Sequence, residues 1–150
     1  MITFSKVLGS LFGIGFSRFA PGTLGSLFAC FTFIFCFSFL TPTSFFLIIS
    51  VISVLGIWLG SVAEKSHQHD PQWFVLDEWV GQSIPLIFVS GNDYLMISIS
   101  FVLFRFFDIS KILFINQIQN LNGGMGIMMD DIFAGIYSLI IIWGIQWFMN

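Results

Sequence analysis

Charged side chains fall in a few short clusters separated by long apolar runs, and that alternation sets the expected elements. No charged residue lies between Arg18 and Glu64. One bilayer crossing takes roughly 20 apolar residues, so this stretch is long enough for two. Its only turn-like interruption is Thr41-Pro42-Thr43-Ser44. Residues 24–40 and 45–63 are therefore expected as a helical hairpin across a membrane. A polar stretch follows, with Glu64, Lys65, His67, His69, Asp70, Asp77 and Glu78. Residues 79–89 are apolar but too short for a perpendicular span, and Pro85 breaks them. Ser90-Gly91-Asn92-Asp93 is a turn signal, and residues 94–107 are apolar apart from Arg105. These two segments are expected as short or tilted spans, or as a re-entrant pair held by neighbouring helices. The polar segment 108–131 contains an apolar patch at 112–115, expected in the interface. Residues 132–148 read as a final span, with Trp143 and Trp147 as interface anchors.

The pattern predicts an all-α, polytopic membrane helical bundle of about three to five spanning or re-entrant helices, and composition agrees. The chain has 150 residues, one domain by length. It is 57% hydrophobic and 9% charged, where a soluble domain carries about 25% charged residues. A soluble globule of this size could not cover itself with so little polar surface. The net charge of −3 comes with no basic cluster, so there is no electrostatic footprint for nucleic acid. Cys30 and Cys36 sit in an apolar run without His, Asp or Glu beside them and read as small packing residues. The N-terminal apolar stretch lacks small residues ahead of a cleavage point and is expected to be retained.

Counting crossings from Arg18 places residues 64–78 and 108–131 on the same side of the bilayer. All five Lys and Arg residues and seven of the eight acids then share one face, with Asp93 alone on the other. That bias makes the shared face cytoplasmic. An acid at the bilayer centre costs roughly 2.5–3.5 kcal/mol, so the acids are expected at the headgroup level, where a lipid phosphate lies.

Four constellations on that face bear chemistry. Ser17-Arg18-Phe19-Ala20-Pro21-Gly22-Thr23-Leu24-Gly25-Ser26 precedes a helix, and Thr23 or Ser26 can cap its free amides. With Arg18 nearby, the helix start is either a phosphate site in its simplest form or an ordinary helix-entry turn with a snorkelling Arg. Asp77 and Glu78 stand at another helix start, where the dipole favours negative charge; side by side they also suit a hard cation. His67 and His69 in the preceding loop read as solvated. Arg105, Asp108 and Lys111 recur in steps of three, giving either an ion-pair ladder or two phosphate-facing cations around a carboxylate. Asn122-Gly123-Gly124-Met125-Gly126 offers backbone amides to an anion, and Asp130 and Asp131 follow at the mouth of the last span, either as ligands or as a helix cap. Carboxylates, cations and glycine turns on one face suit Mg2+-assisted phosphoryl chemistry, because metal and cations neutralise charge on phosphate oxygens.

Ala20-Pro21-Gly22-Thr23-Leu24-Gly25-Ser26, Asp77-Glu78-Trp79-Val80-Gly81, Phe104-Arg105-Phe106-Phe107-Asp108 and the long run from Gly123 through Met129-Asp130-Asp131 to Gly135 resemble, in order, the phosphatidylglycerophosphatase A family. The resemblance covers roughly residues 13–140. It implies an all-helical fold and Mg2+-dependent hydrolysis of phosphatidylglycerophosphate to phosphatidylglycerol and phosphate in a bacterial inner membrane. One departure stands out: the family pattern continues Lys-Pro-x-Pro after the Asp, where this chain has Lys111-Ile112-Leu113-Phe114. Signatures of phosphocysteine, phosphoaspartate and lipid phosphotransferase enzymes are absent from the sequence.

On this reading Asp77, Glu78, Asp130 and Asp131 hold Mg2+ and position a water, and Asp108 is the general base or a further ligand. Arg18, Arg105 and Lys111, with Thr23, Ser26, Asn122, Gly123 and Gly124, hold the phosphate. Two alternatives stay open. One is a phosphatase for another lipid or isoprenoid phosphate. The other is a non-enzymatic transporter or channel subunit, which would leave the one-sided charge without a reason.

Overall fold

Proline opens a helix without loss, because the first helical N–H has no partner to lose, and Pro21 and Pro42 each begin one. The structure is a computed structural model and describes residues 2–66, 71–112 and 121–149. Helix α1 is Ile2–Gly9, followed by a 3-10 turn at Ile14–Phe16. Helix α2, Pro21–Thr32, runs on through a π turn at Phe33–Phe37. Then come α3 (Pro42–Ser66), α4 (Leu76–Ser83), α5 (Tyr94–Ser110) and α6 (Gly124–Met149). Among the described residues there is no strand. His67, His69, Asp70 and residues 113–115 of the expected interfacial patch lie outside the described residues.

The expected turn between α2 and α3 is present at Ser38–Thr41, but the two helices do not pack along each other: α2 packs on α4, and α3 packs on α6 and α1. Pro85 stops α4, since it cannot donate a helical hydrogen bond. Beyond Ser83 the chain advances in tighter three-residue steps, Leu86 N–H donating to Ser83 (3.2 Å) and Val89 N–H to Leu86 (3.1 Å). It stays buried through Ile87 and emerges at the opposite end, where Gly91 sits against Ser38. Residues 76–90 thus cross the bundle inside it, and α5 returns. Asp93 caps α5 at that far end by accepting from Met96 N–H at 3.0 Å.

The last helix differs from expectation. It begins at Gly124 rather than Ile132, because the glycine-rich run is helix and not loop beyond Gly123, whose φ of +74° makes the turn. Asp130 and Asp131 therefore lie inside α6 and do not cap it. Thr23 and Ser26 do not cap α2 either: its N-cap is Ala20, with no side-chain hydrogen bond, and Ser26 Oγ donates back to the Gly22 carbonyl at 2.9 Å.

Small residues bring these helices together, as is usual between membrane helices. A methyl group at Gly124 would lie 2.0 Å from the Ile57 carbonyl oxygen of α3, and one at Gly135 would lie 2.3 Å from the Gly81 carbonyl oxygen of α4. Trp79 Nε1 donates to Thr32 Oγ1 across the α2–α4 contact at 3.0 Å. Phe104, Phe107 and Ala134 seal α5 to α6. Among the described residues, two helices are long and apolar enough to cross a bilayer, Pro42–Lys65 of α3 and all of α6. Only 28% and 22% of their most apolar windows are buried, so they are not core helices of a soluble protein. Phe35, Val54 and the two expected anchors Trp143 and Trp147 are exposed on the outside, a surface suited to lipid.

The glycine contacts make a paired test. Gly135→Ala should destabilise the detergent-solubilised protein by about 1–3 kcal/mol through overpacking against α4. Gly144→Ala, where nothing lies within 4 Å of the new methyl, should be neutral or mildly stabilising in the same thermal melts.

Candidate active site

Ends of four helices meet at one end of the bundle, and there the charges collect. The start of α2, the residues leading into α4, the start of α4, the end of α5 and the second turn of α6 enclose a pocket of about 390 Å³. It is lined by the carboxyl groups of Asp77, Glu78, Asp108, Asp130 and Asp131 and by Arg105 and Lys111. Five acids thus face two bases in one partly desolvated space.

Backbone contacts made possible by glycine aim these groups. A methyl at Gly22 would lie 2.2 Å from Glu78 Oε1, so α2 approaches Glu78 directly. A methyl at Gly81 would lie 2.6 Å from the Asp131 carbonyl oxygen, which sets the spacing between the α4 acids and α6. One oxygen from each of Asp77, Glu78 and Asp131 then lies within 4.8 Å of the others. Glu78 Oε2 and Asp131 Oδ2 are buried and accept no hydrogen bond. Asp77 Oδ1 accepts from the Glu78 amide at 3.0 Å.

The remaining two acids are matched to the cations. Arg105 Nη1 lies 2.6 Å from Asp108 Oδ2, and Lys111 Nζ lies 3.6 Å from Asp108 Oδ1. Lys111 also pairs with Asp130 Oδ2 across α5 and α6. Lys111 ends α5 with a left-handed φ of 47°, and Ile112 follows where the family pattern has its first proline. Adjacent helical residues point about 100° apart, so Asp131 joins the acidic triad while Asp130 faces Lys111.

The charges act on one another's proton affinity. Burial first, then the neighbouring Glu78 carboxyl and those of Asp131 and Asp130, holds Asp77 well above its ordinary carboxyl value. Burial likewise raises Glu78, with Asp108 adding to it, while the contacts to Asp77 and Arg105 work the other way. Burial alone would lower Lys111, yet Asp130, Asp131 and Asp108 outweigh it and hold the ammonium above its usual range.

Of the residues marked in the sequence, Thr23 lines the pocket at the start of α2, whose N-cap Ala20 makes no side-chain hydrogen bond. Ser26 is fully buried beneath and lies 3.5 Å from Arg105 Nη1. Arg18 is exposed and does not line the pocket; neither does Asn122, Gly123 or Gly124. Gly124 packs on α3 instead, its amide donating to Ser61 Oγ at 3.0 Å. Gln72 lines the pocket without having been marked, and nothing in its sequence neighbourhood distinguishes it from a loop glutamine.

Residues 7–146 match the family model described as Phosphatidylglycerophosphatase A. A Bacteroides thetaiotaomicron relative named "Putative phosphatidylinositol-3-phosphatase" is 42% identical over 147 residues, 94% of this chain and 92% of its own. A phosphatidylglycerophosphatase A of Escherichia coli is 37% identical over 88% of this chain and 77% of its own. One from Haemophilus influenzae is 36% identical over 92% and 86%. No solved structure matches significantly.

The raised acids carry a stability consequence. Between the ordinary carboxyl values near 4 and their raised folded-state values, Asp77 and Glu78 hold protons that the unfolded chain has released. Without divalent cations, stability should therefore fall as pH rises through that window. Thermal melts in chelator should give a higher midpoint at pH 5 than at pH 8.

Proposed function

This chain belongs to the phosphatidylglycerophosphatase A family of lipid phosphatases, and on that premise we propose that its acidic pocket hydrolyses the terminal phosphate of phosphatidylglycerophosphate with Mg2+. The observation that carries the reading is the triad of Asp77, Glu78 and Asp131, with two buried oxygens lacking any donor, next to Arg105 and Lys111. An all-oxygen set of this kind fits a hard divalent cation. Charge balance argues the same way. Five carboxyl groups against two cations repel a phosphate dianion, so a divalent cation has to accompany the substrate.

Asp77, Glu78 and Asp131 would hold the cation, which would polarise the phosphoryl group and an attacking water. Arg105 and Lys111, with Thr23 at the uncapped start of α2, hold the non-bridging phosphate oxygens and stabilise charge as it builds. Asp108 and Asp130 orient those two cations. The water oxygen bonds to phosphorus, its proton passes to a carboxylate of the triad, and the phosphorus–glycerol oxygen bond breaks. The departing glycerol oxygen takes up a proton, leaving phosphatidylglycerol and inorganic phosphate. We place the protein in the bacterial inner membrane as a multi-pass protein, with the pocket facing the cytoplasm. The one-sided distribution of Lys and Arg supports that orientation.

The test is phosphate release by purified protein in detergent micelles, with Mg2+ or with chelator. Phosphatidylglycerophosphate and phosphatidylinositol 3-phosphate are compared as substrates. Mg2+-dependent release from the first is expected. Asp131→Asn should lower kcat by about 100-fold or more, and Asp130→Asn should also abolish turnover while the protein stays folded and membrane-inserted. Faster release from the inositol lipid would transfer the reading to that headgroup. No release from either, by folded protein supplied with lipid, would overturn it.

A further inference from the structure

A phosphate monoester is released from an alcohol, and a site that hydrogen-bonds the alcohol can tell one lipid phosphate from another. We propose that Gln72, at the mouth of the acidic pocket, hydrogen-bonds the hydroxyl that stands next to the terminal phosphate ester on the head glycerol. This role rests on the phosphatase reading and adds to it a specificity-determining residue.

The pocket is larger than a phosphate. Its volume of about 390 Å³ falls in the range of roughly 300–1,000 Å³ that takes whole small molecules, so the phosphate and the glycerol attached to it are accommodated together. Their order follows from the lining. Asp77 and Asp131 are buried, and the side chains of Arg105 and Lys111 are only 16% and 31% exposed, so cation and phosphate sit inward. The glycerol joins that phosphate to the rest of the lipid and therefore points to the mouth. Of the described residues that line the pocket, Ala20 and Gln72 are the exposed ones. Of these two, Gln72 alone has a side chain that hydrogen-bonds.

The chemistry of Gln72 suits a hydroxyl. A glutamine amide carries an acceptor and two donors, so it can accept from a hydroxyl or donate to it. It does so without adding charge to a pocket in which five acids already face two bases. On the proposed reading the carboxylates are committed elsewhere, to the cation or to Arg105 and Lys111. Thr23, the other uncharged hydrogen-bonding side chain of the described lining, stands at the helix start assigned to the phosphate. No described residue hydrogen-bonds the Gln72 side chain, so its amide is available to a ligand.

Reading a substrate group also takes a fixed backbone, and Gln72 has one. Residues 71–74 form a turn closed by the Phe74 amide, which donates to the Pro71 carbonyl at 2.8 Å. A methyl at Gly15 would lie 1.9 Å from the Trp73 carbonyl oxygen, and the Val75 amide donates to the Gly9 carbonyl at 2.8 Å. Phe74 is buried between these ties. Asp77 follows two residues after Val75, so the amide at the mouth is held in register with the acids inside.

The test measures kcat and KM for phosphatidylglycerophosphate and for its propanediol analogue, which lacks only the hydroxyl beside the terminal phosphate ester. Wild type is compared with Gln72→Ala and with Gln72→Met, which keeps the length of the side chain but not its hydrogen bonds. Wild type should favour the natural lipid about tenfold in kcat/KM, the effect of one neutral hydrogen bond. Both variants should lose about tenfold on the natural lipid, through KM and with kcat within about twofold, the signature of lost ground-state binding. On the analogue both should stay within about twofold of wild type, because the missing amide and the missing hydroxyl belong to one interaction. A wild type without preference between the lipids would overturn the proposal, and so would a preference that survives in both variants. Equal loss on both lipids in both variants would also overturn it, since Gln72 would then shape the mouth and not read the hydroxyl. Wild type inactive on both lipids would overturn the phosphatase reading, and the role of Gln72 with it.

Discussion

Repulsion among carboxylates held in one small space is the constraint around which this structure is arranged. Asp77, Glu78, Asp108, Asp130 and Asp131 cannot all be ionised together without partners. Two of them, Asp108 and Asp130, are neutralised by Arg105 and Lys111. The other three are left facing one another. An arrangement so costly in isolation persists because helix packing over-determines it, and it ceases to be costly when positive charge arrives. On the proposed reading, the same acids that weaken the protein without a cation would give it selectivity for a phosphate accompanied by one.

The packing that enforces this is made from absence of side chain. Gly81 and Gly135 let α4 and α6 approach backbone to backbone beside the triad, Gly22 lets α2 come up against the Glu78 carboxyl group, and Gly124 brings α3 and α6 backbone to backbone. In a bilayer, where lipid tails are as apolar as leucine, such close approach supplies the helix association that hydrophobic burial supplies in water. Polar atoms within the bundle are mostly returned to their own helix: Ser83, Ser100 and Ser138 each donate to a backbone carbonyl. The pocket end of the bundle is the exception, and it is where we propose the phosphate chemistry.

Much of this was legible in the sequence, for identifiable reasons. Charge spacing marked α2, α3 and the turn between them and gathered the acids on one end, since ionised groups avoid hydrocarbon whatever the fold. The ladder of Arg105, Asp108 and Lys111 followed from helical periodicity and appears as two ion pairs. Other features were not readable. Gly123 and Gly124 read as an anion cradle because glycine serves close approach to a ligand and to a helix equally well, and only the neighbour tells which. The start of α6 was missed for the same reason, glycine-rich sequence being ambiguous between loop and helix. Asp130 and Asp131 are chemically alike, and their division between Lys111 and the triad depends on helix rotation. Gln72 carries no local signal at all, as its position follows from how residues 71–75 are pinned between α1 and α4.

Gly81 is engaged from two directions. Its α-carbon faces the Asp131 carbonyl, and its own carbonyl faces Gly135. A side chain at either glycine would push α4 from α6 and carry Asp77 and Glu78 away from Asp131. Evolution can therefore not alter these two positions one at a time without altering the distance between the acids. Among related chains, residues 81 and 135 should form a coevolving pair, their joint state reporting how widely the acidic triad is set.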